Sequence, residues 1–92
     1  MSTPQFTEHS RLDELTGELC QFRLELGELL AAEKEQRVRA WQDADTDKVS
    51  AADRYADAVT LDLTLDIIRL KAEIAAAETE WQFLMRWMEV AG

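Results

Sequence analysis

The chain has little of what staples small proteins together or breaks them into short elements: one cysteine, one proline and three glycines in 92 residues. Cys20 has no partner within the chain, so no intrachain disulfide reinforces a core that is marginal at this size. That lack fits a reducing, cytoplasmic setting. Cys20 lies beside an apolar stripe with Glu18 and Arg23 as its nearest charges, which predicts a small buried hydrophobe rather than a reactive thiol. No apolar run approaches the roughly 20 residues that span a bilayer, and MSTPQFTEHS has neither the basic segment nor the apolar core of a secretion signal. Cations are scarce too. Ten Lys and Arg stand against nineteen Asp and Glu, a net charge of −9. This disfavours direct binding to nucleic acid or to an anionic membrane, and a charged partner is expected to be basic.

What is present is helical periodicity. Leu12, Leu15, Leu19, Phe22, Leu26 and Leu29 fall on an unbroken 3-4-3-4-3 spacing, one stripe along one side of an α-helix. Ser10-Arg11-Leu12-Asp13 reads as a capping box, so residues 1–9 are expected to be an arm and helix one to run over about 10–43. After Leu29 the register shifts: the next strict positions are Glu33 and Gln36, and Ala31, Val38 and Trp41 are expected to carry the apolar side onward. Gly17 and Gly27 fall off the stripe, where each costs up to about 1 kcal/mol relative to Ala.

The acidic segment 43–50 is the only plausible break, with a turn at about 44–49. Ser50-Ala51-Ala52-Asp53 forms a second capping box, and helix two is expected over about 50–90. Its stripe is Ala56, Val59, Leu63, Ile67, Leu70, Ile74, Ala77, Trp81, Leu84 and Met88. Residues 60–66 alternate with period two, as a half-buried strand does. No turn residue brackets them, however, and the helical period holds on both sides, so helix is the reading. Leu61, Leu65, Ile68, Ala72 and Ala75 then form a second apolar row that a two-helix hairpin cannot cover. The expected architecture is all-α: two long antiparallel helices, dimerising into a four-helix bundle or coiled coil. Self-association is assigned to Leu12, Leu15, Leu19, Phe22, Leu26 and Leu29 together with Leu61, Leu65 and Ile68.

Three features bear on chemistry. Asp43, Asp45 and Asp47 resemble the first ligands of an EF-hand loop, but Lys48 stands where the sharp turn needs Gly and Arg54 where the bidentate Glu belongs. A solvated turn is the reading. Glu25 and Glu28 are similar to the Glu-rich pairs with which MazG-type pyrophosphohydrolases hold magnesium against a nucleotide. Helix two supplies no Glu-x-x-Asp counterpart, and the two carboxylates sit at the margins of the Leu stripe, as bundle charges do. The third feature is residues 81–90, apolar nearly all the way round. Phe6 and Leu12 are expected to cover part of this end. Trp81, Phe83, Met85, Trp87, Met88 and Val90 have the composition of an interaction hot spot.

The chain is similar to the secreted WXG100 proteins of actinobacteria in acidity, size, hairpin topology and a Trp near the turn. Trp41-Gln42-Asp43 lacks their Gly, and Tyr55-Ala56-Asp57-Ala58-Val59 lacks the acidic secretion pattern, so that likeness is architectural. The run from Leu12 to Leu19, Leu-Asp-Glu-Leu-Thr-Gly-Glu-Leu, followed by an Ala/Glu/Arg-rich second helix resembles the small helical proteins of actinobacterial phages. This resemblance implies a protein that binds and modulates or inhibits one host protein in the host cytoplasm.

The functional expectation is therefore a non-enzymatic protein-binding module with no cofactor, whose partners are a second copy and another protein. One alternative is an acidic nucleic-acid mimic, in which Asp43, Asp45, Asp47, Asp53, Asp57, Asp62 and Asp66 imitate a phosphate row in a basic cleft. The others are an assembly component of a phage particle and the MazG-like enzyme.

Overall fold

In the computed structural model, which describes residues 4–91 and the side chains of 8–90, the first helix, α1, spans Pro4–Asp43. It begins six residues ahead of Ser10, so the expected arm over 1–9 is helical from Pro4 onward and the Ser10 capping box lies inside the helix. Proline suits a first helical position because its missing N–H would be unbonded there anyway. With no breaker after it, extending the helix costs far less than nucleating a new one. The side chain of Phe6 falls outside the described residues.

The expected second helix is two helices, α2 (Val49–Val59) and α3 (Leu61–Ala91), separated by Thr60 alone. Of the stretch that alternates like a strand, Thr60 is the break itself and residues 61–66 are helical. At the break, Thr60 has φ −95° and ψ 7°. Its Oγ1 donates to the Ala56 carbonyl at 2.8 Å, and its own N–H donates to the same oxygen at 3.0 Å. A threonine bonding back four residues in this way bends a helix without severing it. Continuity survives because Thr64 N–H still reaches the Thr60 carbonyl at 2.9 Å.

α1 packs antiparallel on α2 and α3, giving a rod of 69 × 17 × 15 Å. The core is a seam rather than a ball. Leu15 and Leu19 of α1 cluster with Leu70, Ile74 and Ala77 of α3, and Phe22, Leu26, Leu29, Trp81 and Leu84 pack against them half-buried. The Leu12 to Leu29 stripe, expected to serve self-association, packs on the returning chain, buried from Leu12 to Leu19 and half-buried from Phe22 to Leu29.

Toward the turn the seam departs from the expected register. Val38 and Trp41 are exposed, as is Ala31, while Ala40 is buried and Glu33 and Arg37 are half-buried. On the opposite strand of the seam Val59 is 46 % exposed and Thr60 is fully buried. The buried residues at this end are all small: Ala40, Ala52, Ala56 and Thr60. Large side chains have no room between helices spaced by such residues, so they lie outside. The long side chains of Glu33 and Arg37 can run along the seam and keep their charges wet.

Ion pairs flank the seam. Arg11 forks onto Glu80, Nε and Nη2 each donating to one carboxylate oxygen, and it also reaches Glu14 at 3.0 Å and Glu18 at 3.7 Å. Arg23 meets Glu78 at 3.0 Å, and Arg37 meets Asp57 at 2.8 Å. Exposed pairs of this kind contribute about 0–1 kcal/mol each. Their value here is register, since Arg11–Glu80, Arg23–Glu78 and Arg37–Asp57 each join α1 to the returning chain.

Candidate interaction surface

The outward side of α3 is built by the same periodicity that builds its seam. Ile67, Leu70, Ile74 and Ala77 face α1 and are buried. Half a helical turn away, Leu61, Leu65 and Ile68 are each more than half exposed. Ala72, Ala75, Ala76 and Thr79 continue this face, also exposed. It ends in Phe83, Trp87 and Val90, exposed by 66, 50 and 80 %. Helix geometry makes the strip from Leu61 to Val90 about 44 Å long. Every carboxylate of α3 falls to one side or the other of this row by helical spacing.

The six residues expected at the C-terminal hot spot therefore divide. Phe83, Trp87 and Val90 point outward. Trp81 packs on the core cluster, and Met85 and Met88 are half-buried. Of the residues assigned to self-association, Leu12, Leu15 and Leu19 are buried, Phe22, Leu26 and Leu29 are half-buried, and Leu61, Leu65 and Ile68 are exposed.

A second apolar strip lies on α1 near the turn. Leu30, Val38 and Trp41 form a shallow depression of about 610 Å³ with Glu33, Lys34, Arg37 and Gln42. All seven belong to one helix, so the depression has no opposing wall. Another hollow, of about 410 Å³, lies between α1 and α3 beside Trp81 and includes Cys20. Cys20 is exposed, contrary to the buried role expected of it. A Cβ added at Gly17 or Gly27 would meet nothing within 4 Å, so neither glycine serves a close approach within the chain.

The seven aspartates are all exposed. Asp43 ends α1, Asp45 and Asp47 sit in the turn, Asp53 and Asp57 lie on α2, and Asp62 and Asp66 lie on the first turns of α3. Asp57 is engaged by Arg37. Helical spacing sets Asp53 and Asp57 on a different flank from Asp62 and Asp66, so the seven do not form one row. The turn is organised by its own bonds: Thr46 N–H donates to the Ala44 carbonyl at 2.9 Å, and Lys48 N–H to Thr46 Oγ1 at 3.1 Å. Glu25 and Glu28 are exposed, and Glu25 accepts from Gln21 Nε2 at 3.3 Å. Among the described residues no three His, Cys, Asp or Glu side chains come together to hold a metal ion.

Sequence reading missed the exposed Leu24, Leu30, Tyr55 and Val59. The available signal was the Leu30-Lys34-Val38-Trp41 spacing, a row of its own at i, i+4, i+8 and i+11. Among the described residues, the marked electrostatic perturbation is at the ion-paired edge. The hydrogen bonds from Arg11 hold the Glu80 carboxyl below its usual range, opposed by partial desolvation. The same bonds push the Arg11 guanidinium up.

Two size measures summarise the surface. The chain exposes 7047 Å², where a compact monomer of 10.5 kDa exposes about 5400 Å². Its radius of gyration is 20.1 Å, against about 12 Å for a globular domain of this length. No helix among the described residues is long and apolar enough to cross a membrane. No protein-family model, curated protein or solved structure matches the chain.

Proposed function

We propose that this chain is a non-enzymatic protein-binding module whose working surface is the outer face of α3 from Leu61 to Val90. One observation carries the reading: a strip of exposed apolar residues, aliphatic at one end and aromatic at the other, with alanines between and Thr79 and Arg86 as its polar members, lies on the side of α3 turned away from α1. Exposed apolar patches of this extent mark protein contacts, and Phe and Trp are among the side chains that dominate binding energy at such contacts. The resemblance to small phage-encoded helical proteins adds a class of target, a host protein.

The test compares the tagged wild-type chain with a Leu65→Glu/Phe83→Glu double variant by sedimentation in cell lysate. Both positions are exposed, so the variant keeps its helical signal. The wild type is expected to sediment in an assembly larger than one chain and the variant as one chain. A wild type that travels as a single chain ends the proposal. An assembly that survives the substitutions but dissolves in moderate salt favours the acidic mimic instead, since exposed charge pairing is screened within about 10 Å at 0.1 M.

A further inference from the structure

We propose that the occupant of the outer face of α3 is the same face of a second copy, laid antiparallel and crossing beside Ala75 and Ala76. The inference rests on the reading of that face as the working surface and puts a second copy in place of a host protein as its occupant. A two-fold interface must be self-complementary, each residue meeting its counterpart in both directions. The row has this symmetry about the midpoint between Ala75 and Ala76. Large side chains lie at one end (Leu61, Leu65, Ile68), large ones at the other (Phe83, Trp87, Val90), and small ones between. Reversing the row brings Ile68 opposite Phe83, Ala72 opposite Thr79 and Leu61 opposite Val90, while Leu65 meets Arg86 and Trp87 meets Thr64, so the match is one of size order rather than residue by residue.

The size order also suits two rods that cross. Straight helices approach most closely at one point and diverge on either side. Alanines at the crossing let the backbones close, and larger side chains farther out fill the widening gap. The surplus surface over a compact monomer is about 1600 Å² per chain, taken over the whole rod, so an interface of standard size, roughly 800 Å² per partner, uses about half of it.

Charge selects the antiparallel sense. Each copy carries −9, and Asp43, Asp45 and Asp47 stand together at the turn end. Parallel docking sets the two turns side by side, whereas antiparallel docking places each about 43 Å to either side of the crossing, several Debye lengths apart. It also opposes the two α3 dipoles. Arg69, which makes no ion pair among the described residues, comes within one helical turn of Glu80 on the other copy.

The purified full chain tests this. Sedimentation equilibrium over a dilution series is expected to give twice the chain mass, halved in Ile68→Glu and, independently, in Phe83→Glu, with helical circular dichroism retained. In a Cys20→Ser background, Ala75→Cys is expected to cross-link to itself under mild oxidation. Leu61→Cys is expected to cross-link only when mixed with Val90→Cys. Single-chain mass at every concentration overturns the proposal, and so does a dimer indifferent to both Glu variants. Self-cross-linking of Leu61→Cys overturns the antiparallel sense. A purified monomer whose assembly in lysate is still lost in Leu65→Glu/Phe83→Glu removes the second copy and leaves the binding function standing. A monomer in both settings removes both.

Discussion

Truncating Leu15 is the most direct probe of the seam. Its side chain is 1 % exposed and is held among Leu19, Leu70, Ile74 and Ala77. Leu15→Ala removes the equivalent of three methylene groups, about 2.4 kcal/mol of transfer free energy at about 0.8 each. A cavity term adds to this because two helices locked by the rest of the seam collapse only partly into the space. Together these give about 3 kcal/mol, toward the lower end of the range for buried Leu→Ala changes. For a domain of this length, that lowers the melting temperature by about 12–24 °C. The internal control is Leu24→Ala on the same helix, where the side chain is 66 % exposed and the expected loss is about 0.5 kcal/mol or less. Thermal and urea unfolding followed by far-ultraviolet circular dichroism measure both. The two variants are compared at matched concentrations, since any self-association adds to apparent stability. Equal losses for Leu15→Ala and Leu24→Ala refute the assignment of the seam.

Three further outcomes follow from the same contacts. Thr60→Val keeps the volume but removes the hydroxyl that donates to Ala56 and accepts from Arg37 at 3.4 Å; urea unfolding should register a loss of about 1 kcal/mol, and an unchanged midpoint makes the bond irrelevant. The Glu80 carboxyl is held below its ordinary value of 4.5 by Arg11, so the pair stabilises the fold above that pH and the contribution fades as pH falls through the lowered value. The gap in melting temperature between wild type and Glu80→Gln is therefore widest near neutrality and closes in acid; a gap that widens in acid has the wrong sign. Finally, three carboxylates crowd Arg11 in a chain of charge −9. Raising salt from low to moderate levels is expected to increase the melting temperature of Arg11→Ala more than that of wild type, and the reverse order contradicts the arrangement.

The helical class and the middle of the seam were legible in the sequence because Leu, Ile and Phe recur there at strict spacing, and hydrophobic burial decides which face turns inward. The turn end was not legible, for a specific reason. A polarity ranking prefers Val59 to Thr60 and Trp41 to Ala40, but the threonine hydroxyl finds a carbonyl four residues back and so is buried at little cost, and small residues admit a closer helix approach than large ones. The sequence stripe of helix two has its one 4-4 step at Val59, Leu63 and Ile67, whereas the buried row steps through Ala52, Ala56 and Thr60, two turns earlier. The Ser10 capping box is a valid local signal overridden by an earlier start at Pro4. At the C-terminal end, composition marked the aromatic cluster, but only packing against Leu15 and Leu19 could separate Trp81 from Phe83 and Trp87.

The grading of buried side chains along the rod, from Ala40, Ala52 and Ala56 at the turn to Leu15, Leu70 and Ile74 beyond, makes the molecule a pair of tongs. Its two arms meet at a pivot, the turn, and α2 followed by α3 carries the returning arm about 64 Å from there. A small spacer near the pivot sets the angle of the whole arm, so an enlargement at Ala52 is amplified several-fold at the level of Trp81, whereas the same enlargement near Trp81 displaces only its neighbours. Tolerance to substitution in this chain is therefore governed by leverage as well as by burial, and the least conspicuous residues, the alanines beside the turn, carry the strictest geometric demand.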